Sequence, residues 1–272
     1  MRVLGIDFSS RPTRRKPITC VECLLDGEQL QFQDLTAWPG FDGFEQALRR
    51  SGPWIAGIDF PFGQARRFIE TIGWPDTWAG YVDHAAALGR EGFRAALDAY
   101  RAKRAPGDKE HRRACDVAAG SISPQKLYGT PVGLMFFEGA PRLLAGGVSI
   151  PGLQAGDPER VVVEAYPGVL ARKLIGRRPY KQDSRAKQTA EQAQARQALL
   201  AQVRGRTLAQ GYGLSVSAPA SLAGDPGADQ LDALLCAVQA AWAWRRRDSG
   251  YGLPADIDVL EGWIADPSLR PG

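Results

Sequence analysis

Several acidic residues stand where their carboxylates could act together. Three end short apolar runs: Asp7 in "LGIDF", Asp59 in "AGIDF" and Glu164 in "VVVEAY". In "DQLDA", Asp229 and Asp232 lie three residues apart at the start of a predicted helix, about 60° apart around its axis. In an open α/β sheet, ligands bind beyond the carboxyl ends of the strands. We therefore expect these acids to share one rim of a sheet.

Each acid taken alone also has an ordinary structural explanation. An aspartate after a strand often serves a turn, and Asp229 could simply cap a helix, where acids in the first turn are favourable. These explanations predict no convergence. They also do not account for "GIDF" occurring twice, each time at the end of an apolar strand.

Carboxylates that are pressed together repel one another and retain protons, and a hard divalent cation removes that cost. Mg²⁺ and Mn²⁺ prefer such oxygen ligands, and two ions about 4 Å apart promote phosphodiester cleavage. The pattern therefore predicts a metal-dependent phosphodiesterase that acts on nucleic acid. In this hypothesis Asp7 is a metal ligand.

Basic residues are clustered beside these acidic motifs. The net charge of +4 by itself favours nucleic acid only weakly, but the cations concentrate within residues 11–16, 101–113 and 172–187. Solvated surface is the plain alternative for each cluster. Beside a metal site, such clusters would hold the phosphate backbone of RNA or DNA. The predicted phosphate contacts are Arg11, Arg14, Arg15, Lys16, Lys173 and Lys181.

The elements that must position these residues can be read from the hydrophobic pattern. Three strands of an antiparallel meander, with a tight turn at Asp26-Gly27, are predicted for "RVLGIDFSS", "ITCVECLLDG" and "EQLQFQDLTAW". "WIAGIDFPFG" and "RVVVEAYPG" are apolar without alternation, as in parallel strands buried on both faces. "GFDGFEQALRRSG", "SRAKQTAEQAQARQALLAQVRG" and "GADQLDALLCAVQAAWAWRRR" predict helices. Strands joined through helices indicate an α/β fold with a mixed sheet and helices on both faces.

We predict one domain over residues 1–272, with residues 64–156 as an insertion. The insertion is helical in composition to about Arg104 and is rich in Gly, Pro and Ser from Gly120 to Gly156, which predicts a long irregular stretch. Its aromatic residues, Trp74, Trp78, Tyr81 and Phe93, can simply pack a helical subdomain. Alternatively, the insertion is a lid over the acids whose aromatic rings stack on unpaired bases.

Other features exclude some classes of protein. The four cysteines are too few for a disulfide scaffold, and the Cys20-x-x-Cys23 pair falls in a predicted strand, which favours a structural role over zinc or redox chemistry. No apolar run approaches the roughly 20 residues of a membrane helix, and no signal peptide is recognisable. We expect a cytoplasmic protein with no membrane partner. The oligomeric state stays open.

Four motifs resemble those of domain-of-unknown-function family 429, which is described as predicted ribonuclease H-like nucleases. They are "GIDFSS", "GIDFPFG", "VVVEAYPGVLARKL" and "DQLDALLCAVQAAWAW". The order of elements is similar to the ribonuclease H-like superfamily, including RuvC-type resolvases. The resemblance covers residues 1–63 and 160–265. It implies a ribonuclease H-like sheet and Asp7, Asp59 and Asp232 as metal ligands, with Asp229 or Glu164. On this basis Asp7 would bridge two ions, and Asp59 and Asp232 would each complete the coordination of one. The attacking water would be oriented by Asp229 or Glu164. One departure is that such sites take a glutamate from the first helix, where this chain offers Glu45.

Two other functions remain open. The same strand-acid-hairpin pattern serves actin-like ATPases and sugar kinases, in which Ser9, Ser10 and Thr13 would hold nucleotide phosphates and Mg²⁺. A non-catalytic module that binds nucleic acid or protein is the third possibility. The sequence has no G-x-x-x-x-G-K-[ST] loop and no G-x-S-x-G elbow, which argues against P-loop and serine-hydrolase chemistry.

Overall fold

The computed structural model describes residues 1–182 and 184–269. In these ranges one sheet of seven strands is flanked by ten α-helices. The strands are β1 (Arg2–Asp7), β2 (Ile18–Asp26), β3 (Gln29–Trp38), β4 (Trp54–Asp59), β5 (Val148–Ser149), β6 (Asp157–Glu164) and β7 (Ser215–Ser217). The helices are α1 (Phe41–Arg49), α2 (Arg66–Ile72), α3 (Trp78–Ala87), α4 (Gly89–Ala102), α5 (Ala114–Ala119), α6 (Val132–Gly146), α7 (Pro167–Ile175), α8 (Ala190–Val203), α9 (Arg206–Tyr212) and α10 (Asp229–Trp244).

The sheet has the order β5-β6-β4-β1-β2-β3-β7 and is mixed. β1, β2 and β3 pair antiparallel, and the turn between β2 and β3 contains Gly27 at φ +55°, a conformation that favours glycine. β1, β4 and β6 pair parallel. The predicted α/β class, the meander and the buried parallel strands are therefore confirmed. The two-residue β5 and three-residue β7 at the edges were not predicted, because such short segments carry no periodicity.

Apolar side chains of the central strands alternate between two cores, one on each face of the sheet. Val3, Ile55 and Val161 point to a core shared with α7, α8 and α10. Their neighbours Leu4 and Ala56 point to a core shared with α1, α3, α4 and α6. Helices therefore cover both faces, as predicted. This explains why the parallel strands read as continuous apolar runs.

Helix α10 lies unusually close to the sheet because two glycines leave room for its backbone. A Cβ atom at Gly5 would lie 1.9 Å from the Ala233 carbonyl oxygen, and a Cβ atom at Gly57 would lie 2.4 Å from the Cys236 carbonyl oxygen. Both glycines stand two residues before an aspartate in "GID". The repeated motif thus combines a steric requirement of helix packing with the acid that follows.

Residues 64–156 contain α2 to α6 and β5, which pairs with β6 at the sheet edge. The predicted irregular stretch over 120–156 is wrong for residues 132–146, which form the 15-residue helix α6. Buried side chains on this helix, among them Phe136 and Leu143, stabilise it despite Pro141 in its interior. Tertiary packing thus outweighs the low helix propensity of this composition. That residues 1–272 form one domain stays a prediction.

The four cysteines are buried free thiols, as expected for a structural role. Cys20 and Cys23 contribute to different cores, because side chains three positions apart on a strand point to opposite faces. Across the described ranges, none of the helices combines the length and the apolar character that crossing a membrane requires.

Candidate functional site

Asp7 and Asp59 are the last residues of the neighbouring parallel strands β1 and β4, and they are direct partners in the register. Side chains that are partners in a parallel ladder point to the same face. Here it is the face covered by α10, since Gly5 and Gly57, two residues earlier, are the positions that contact this helix. Both carboxylates therefore project toward the start of α10.

Asp229 and Asp232 lie in the first turn of α10. Asp232 is 1% exposed, and its backbone N–H donates to the carbonyl of Ala228, the residue before the helix. Ala228 has φ +64°, a left-handed conformation that costs a non-glycine residue about 1 kcal/mol or more. Asp225 fixes this entry, because its carboxylate accepts from the N–H groups of Gly227 and Gln230. Asp229 is thus the first residue of the helix and not its N-cap.

The electrostatics show that these four aspartates are close together; we call them the acid cluster. Burial raises the pKa of Asp7 well above its usual range, and the charges of Asp232, Asp229 and Asp59 raise it further. Burial, opposed by Lys181 and reinforced by Asp232, raises the pKa of Asp59 to about 7. The charges of Asp229, Asp232 and Asp59 thus all act on Asp7.

Asp232 is held by a tyrosine and a lysine. The sequence did not predict that either of them pairs with an acid. The hydroxyl of Tyr180 donates to the Oδ1 atom of Asp232 at 2.7 Å, and the ammonium group of Lys181 lies 2.7 Å from its Oδ2 atom. Burial alone would lower the pKa of Lys181, but the charge of Asp232 raises it above its ordinary value. The cluster thus contains one internal cation.

The donor set of the acid cluster fits a divalent cation, but the site is not already assembled for one. Its four side chains offer carboxylate oxygens alone, the ligands that Mg²⁺ and Mn²⁺ prefer. Among residues 1–182 and 184–269, the carboxylates of Asp7 and Asp59 have no hydrogen-bond or ion-pair partner. In the same ranges no three His, Cys, Asp or Glu side chains are arranged to hold a metal ion. Because the side chain of Lys181 is 53% exposed, its ammonium can leave Asp232 without unpacking the core.

Glu164 does not fit the role of a water-orienting carboxylate that its sequence position predicted. Its two oxygens accept from the guanidinium of Arg113 at 2.6 and 2.7 Å, and Oε2 also accepts from the N–H of Phe62 at 2.8 Å. Arg113 is 1% exposed and also binds both carboxylate oxygens of Asp116. Burial raises the pKa of Glu164, and Arg113 opposes that effect. This carboxylate is saturated by protein donors.

The register of the sheet explains why Glu164 differs from the aspartates. Glu164 is the partner of Ile58, not of Asp59. A shift of one residue turns a side chain to the other face of the sheet. Glu164 consequently faces the insertion, where Arg113 neutralises it, whereas Asp7 and Asp59 face α10.

The predicted phosphate-binding cations are divided among three environments. Arg11, Arg14, Arg15 and Lys16 are exposed in the loop that follows β1, at the same end of the sheet as Asp7. Lys173 does not face the acids, because its ammonium lies 5.2 Å from the ring centre of Tyr212 on α9. Lys181 is the one that reaches the acid cluster, and its partner there is Asp232.

Two cavities of about 280 Å³ each adjoin at Asp59, Tyr166 and Lys181, which line both. We call the first the insertion cavity, because residues 113–135 of the insertion form much of its wall. We call the second the arginine cavity; its basic lining residues are Arg172, Arg177, Arg178 and Lys181. Arg177 and Arg178 are exposed, so their charges are accessible to an anion.

Sequence reasoning missed Tyr166 and Tyr180 as site residues. It noticed four arginines only as members of basic clusters: Arg113, Arg172, Arg177 and Arg178. No local signal marked the last three arginines, because Arg172 lies within α7 and Arg177 and Arg178 follow that helix, well beyond the end of β6. Arg113 carried no signal, because its partner Glu164 is 51 residues away.

Glu45, the first-helix glutamate, accepts from Arg142 and Arg49. It is therefore occupied by cations outside the acid cluster.

A family model described as protein of unknown function (DUF429) matches residues 5–258. Because this is nearly the whole chain, the protein belongs to that family. No curated protein and no solved structure matches the chain.

Proposed function

We propose that this DUF429 protein hydrolyses phosphodiester bonds of nucleic acid in a metal-dependent reaction, on a sheet of the ribonuclease H-like type. The convergence of Asp7, Asp59 and Asp232 from two strands and a distant helix, beside a cavity lined by arginines, carries the proposal. An ordinary core would keep apart two carboxylates that lack a partner, as those of Asp7 and Asp59 do within the described ranges, because each unpaired carboxylate costs several kcal/mol.

The acid cluster would hold the cation, with Asp7, Asp59 and Asp232 as its ligands. When bound, Mg²⁺ or Mn²⁺ would stabilise the charge that develops on the phosphate and lower the pKa of a bound water. Asp229, one helical turn from Asp232, is the carboxylate that we assign to orient the attacking water. Glu164 is excluded from this role by its bonds to Arg113 and instead holds the insertion against the end of β6.

The cations of the site would bind the substrate phosphate. The arginine cavity offers Arg172, Arg177 and Arg178, whose guanidinium groups suit bidentate contacts with phosphate oxygens. Lys181 would have two successive partners. It neutralises Asp232 in the free protein. When substrate and cation bind, its half-exposed side chain would move so that the ammonium pairs with a phosphate oxygen instead.

The test is a cleavage assay with purified protein and Mn²⁺ on single-stranded DNA, single-stranded RNA, branched DNA and ATP. We expect one of the nucleic acids to be cleaved, and cleavage to fall at least a hundredfold in Asp7→Asn and Asp59→Asn. Asp256→Asn, which changes an exposed carboxylate, is the matched control and should retain wild-type activity.

Cleavage that persists equally in Asp59→Asn and the wild type would indicate a contaminating nuclease and would contradict the proposal. Turnover of ATP with no cleavage of nucleic acid would instead favour the nucleotide-hydrolase alternative. Calorimetric titration with Mn²⁺ gives an independent readout, because Asp7→Asn should lose the binding that Asp256→Asn keeps.

A further inference from the structure

Phosphodiester hydrolysis by itself does not use the insertion cavity. Its volume of about 280 Å³ is near the lower limit of small-molecule sites, which is about 300 Å³. Its apolar lining includes Pro61, Ile122, Val132 and Met135. Its polar lining includes Asp116, Ser121 and Thr130, besides the Arg113–Glu164 ion pair. Apolar surface beside a few hydrogen-bonding groups suits an aromatic ring that carries hydrogen-bonding atoms.

Tyr166 forms the boundary between the insertion cavity and the arginine cavity, and it is held rigidly. Its backbone N–H donates to the side-chain oxygen of Gln239, and its carbonyl accepts from the amide nitrogen of the same side chain. Its ring crosses Gly168 so closely that a Cβ atom there would lie 2.9 Å from the ring. Within the described ranges, its hydroxyl has no hydrogen-bond partner. Tyr166 is therefore a fixed aromatic surface with a free polar end.

The arginine cavity, on the other side of Tyr166, carries the opposite chemistry. Arg172 lies 5.5 Å from the Tyr166 ring centre and is oriented further by a hydrogen bond to the carbonyl of Ala119. Arg177 and Arg178 are exposed at this cavity and add two positive charges. One ligand that entered both cavities would thus have a planar, mostly apolar part and an anionic part, with Asp59 and Lys181 at the junction.

We propose that the site takes a nucleotide whose base is unpaired, with the base in the insertion cavity and its phosphate in the arginine cavity. This inference rests on the proposed phosphodiester function and names its substrate class. A base inside a cavity cannot be paired or stacked in a duplex, so the enzyme acts on single strands or extruded nucleotides. Tyr166 then supplies the surface against which the base or its sugar packs.

Binding measured in EDTA separates this inference from catalysis, since no divalent cation is needed to fill either cavity. The probes are a labelled single-stranded oligonucleotide, the same strand in a blunt duplex, an abasic strand of equal charge, and a nucleoside monophosphate as competitor. We expect the single strand to bind at least tenfold more tightly than both the duplex and the abasic strand. The competitor distinguishes a free nucleotide from a strand as the ligand. If the free nucleotide is the ligand, the monophosphate should displace the labelled strand at a concentration similar to that of the unlabelled strand. If the strand is the ligand, a much higher concentration of monophosphate should be needed.

Variants at exposed positions test each cavity without disturbing the core. Thr130→Trp places a large ring in the insertion cavity and should weaken binding of the single strand at least tenfold. Thr71→Trp places the same ring at a different cavity, lined by Ile72 and His84, and should have no effect.

Arg177→Gln combined with Arg178→Gln should weaken binding of the strand and reduce its salt slope by about 1.4, as expected for two lost phosphate contacts. The charge-matched control combines Arg206→Gln with Arg247→Gln, two exposed arginines outside the predicted basic clusters.

Equal binding of the abasic and the normal strand, or unchanged binding by Thr130→Trp, would overturn the inference even if the protein cleaves nucleic acid. Tighter binding of the blunt duplex would do the same. The opposite failure is also recognisable. If the predicted binding pattern is found but no substrate is cleaved with Mn²⁺, the base site stands and the proposed hydrolysis does not.

Discussion

The carboxylate of Asp59 should destabilise the cation-free protein at neutral pH, and removing its charge should stabilise it. Burial is the main cause that raises the pKa of Asp59 from 3.8 to about 7; Lys181 opposes it and Asp232 adds to it. At a pH between these two pKa values the folded protein binds more protons than the unfolded chain. Its free energy of unfolding therefore falls as the pH rises.

The magnitude follows from the two pKa values. Ionisation of Asp59 should lower the free energy of unfolding by about 2 kcal/mol between pH 5 and pH 7, and by about 4 kcal/mol in total well above pH 7. Asp59→Asn removes this contribution and also relieves the repulsion that Asp59 exerts on Asp7, which changes stability in the same direction. The variant should therefore gain stability relative to the wild type as the pH rises.

The assay is urea unfolding followed by tryptophan fluorescence at pH 5, 6, 7 and 8 in EDTA. The difference in the free energy of unfolding between Asp59→Asn and the wild type should grow by about 2 kcal/mol from pH 5 to pH 7, with unchanged m-values. Asp256→Asn, the exposed control, should follow the wild type at every pH. A constant difference between Asp59→Asn and the wild type across this range would refute the reasoning, because Asp59 would then not be titrating between pH 5 and pH 8.

Three further predictions concern the framework of the site. Gly5→Ala places a Cβ atom 1.9 Å from a backbone oxygen of α10 and should lower the free energy of unfolding by more than about 3 kcal/mol, as measured in urea. A free energy of unfolding equal to that of the wild type would contradict the packing described. Arg113→Gln leaves the buried carboxylate of Glu164 without its cation and should cost about 3–5 kcal/mol, most of it recovered when Glu164→Gln is added, as a double-mutant cycle would measure. Lys181→Met removes the internal cation from Asp232, so calorimetry should detect Mn²⁺ binding at least tenfold tighter than in the wild type. Lys181→Arg keeps the charge and should not gain affinity. Equal Mn²⁺ affinity in Lys181→Met and the wild type would show that the ammonium does not compete with the metal.

Local signals in the sequence predicted the elements that carry the site. The apolar runs before Asp7, Asp59 and Glu164 predicted strands, and the helical stripe after Asp229 predicted α10, because hydrophobic periodicity directly reflects which faces are buried. The prediction failed over residues 132–146, where Gly and Pro content concealed helix α6 and packing against α1, α3 and α4 decided the conformation.

The repeated "GIDF" was recognised for its acid, whereas its glycine was understood only from the fold. Only the approach of α10 shows that Gly5 and Gly57 are required for Asp232 to reach the strand ends. The sequence therefore contained the positioning residues but not the reason for them.

The sequence by itself determined which residues end the central strands and which residues begin the last helix, since these depend on patterns of a few neighbouring positions. Tertiary structure alone decided which acids share an environment. A one-residue offset in strand register sent Glu164 to Arg113 on one face and left Asp7 and Asp59 on the other. It also placed Lys181 on Asp232, 51 positions away. Register and long-range ion pairing depend on how distant segments fit together, and no local pattern encodes that fit.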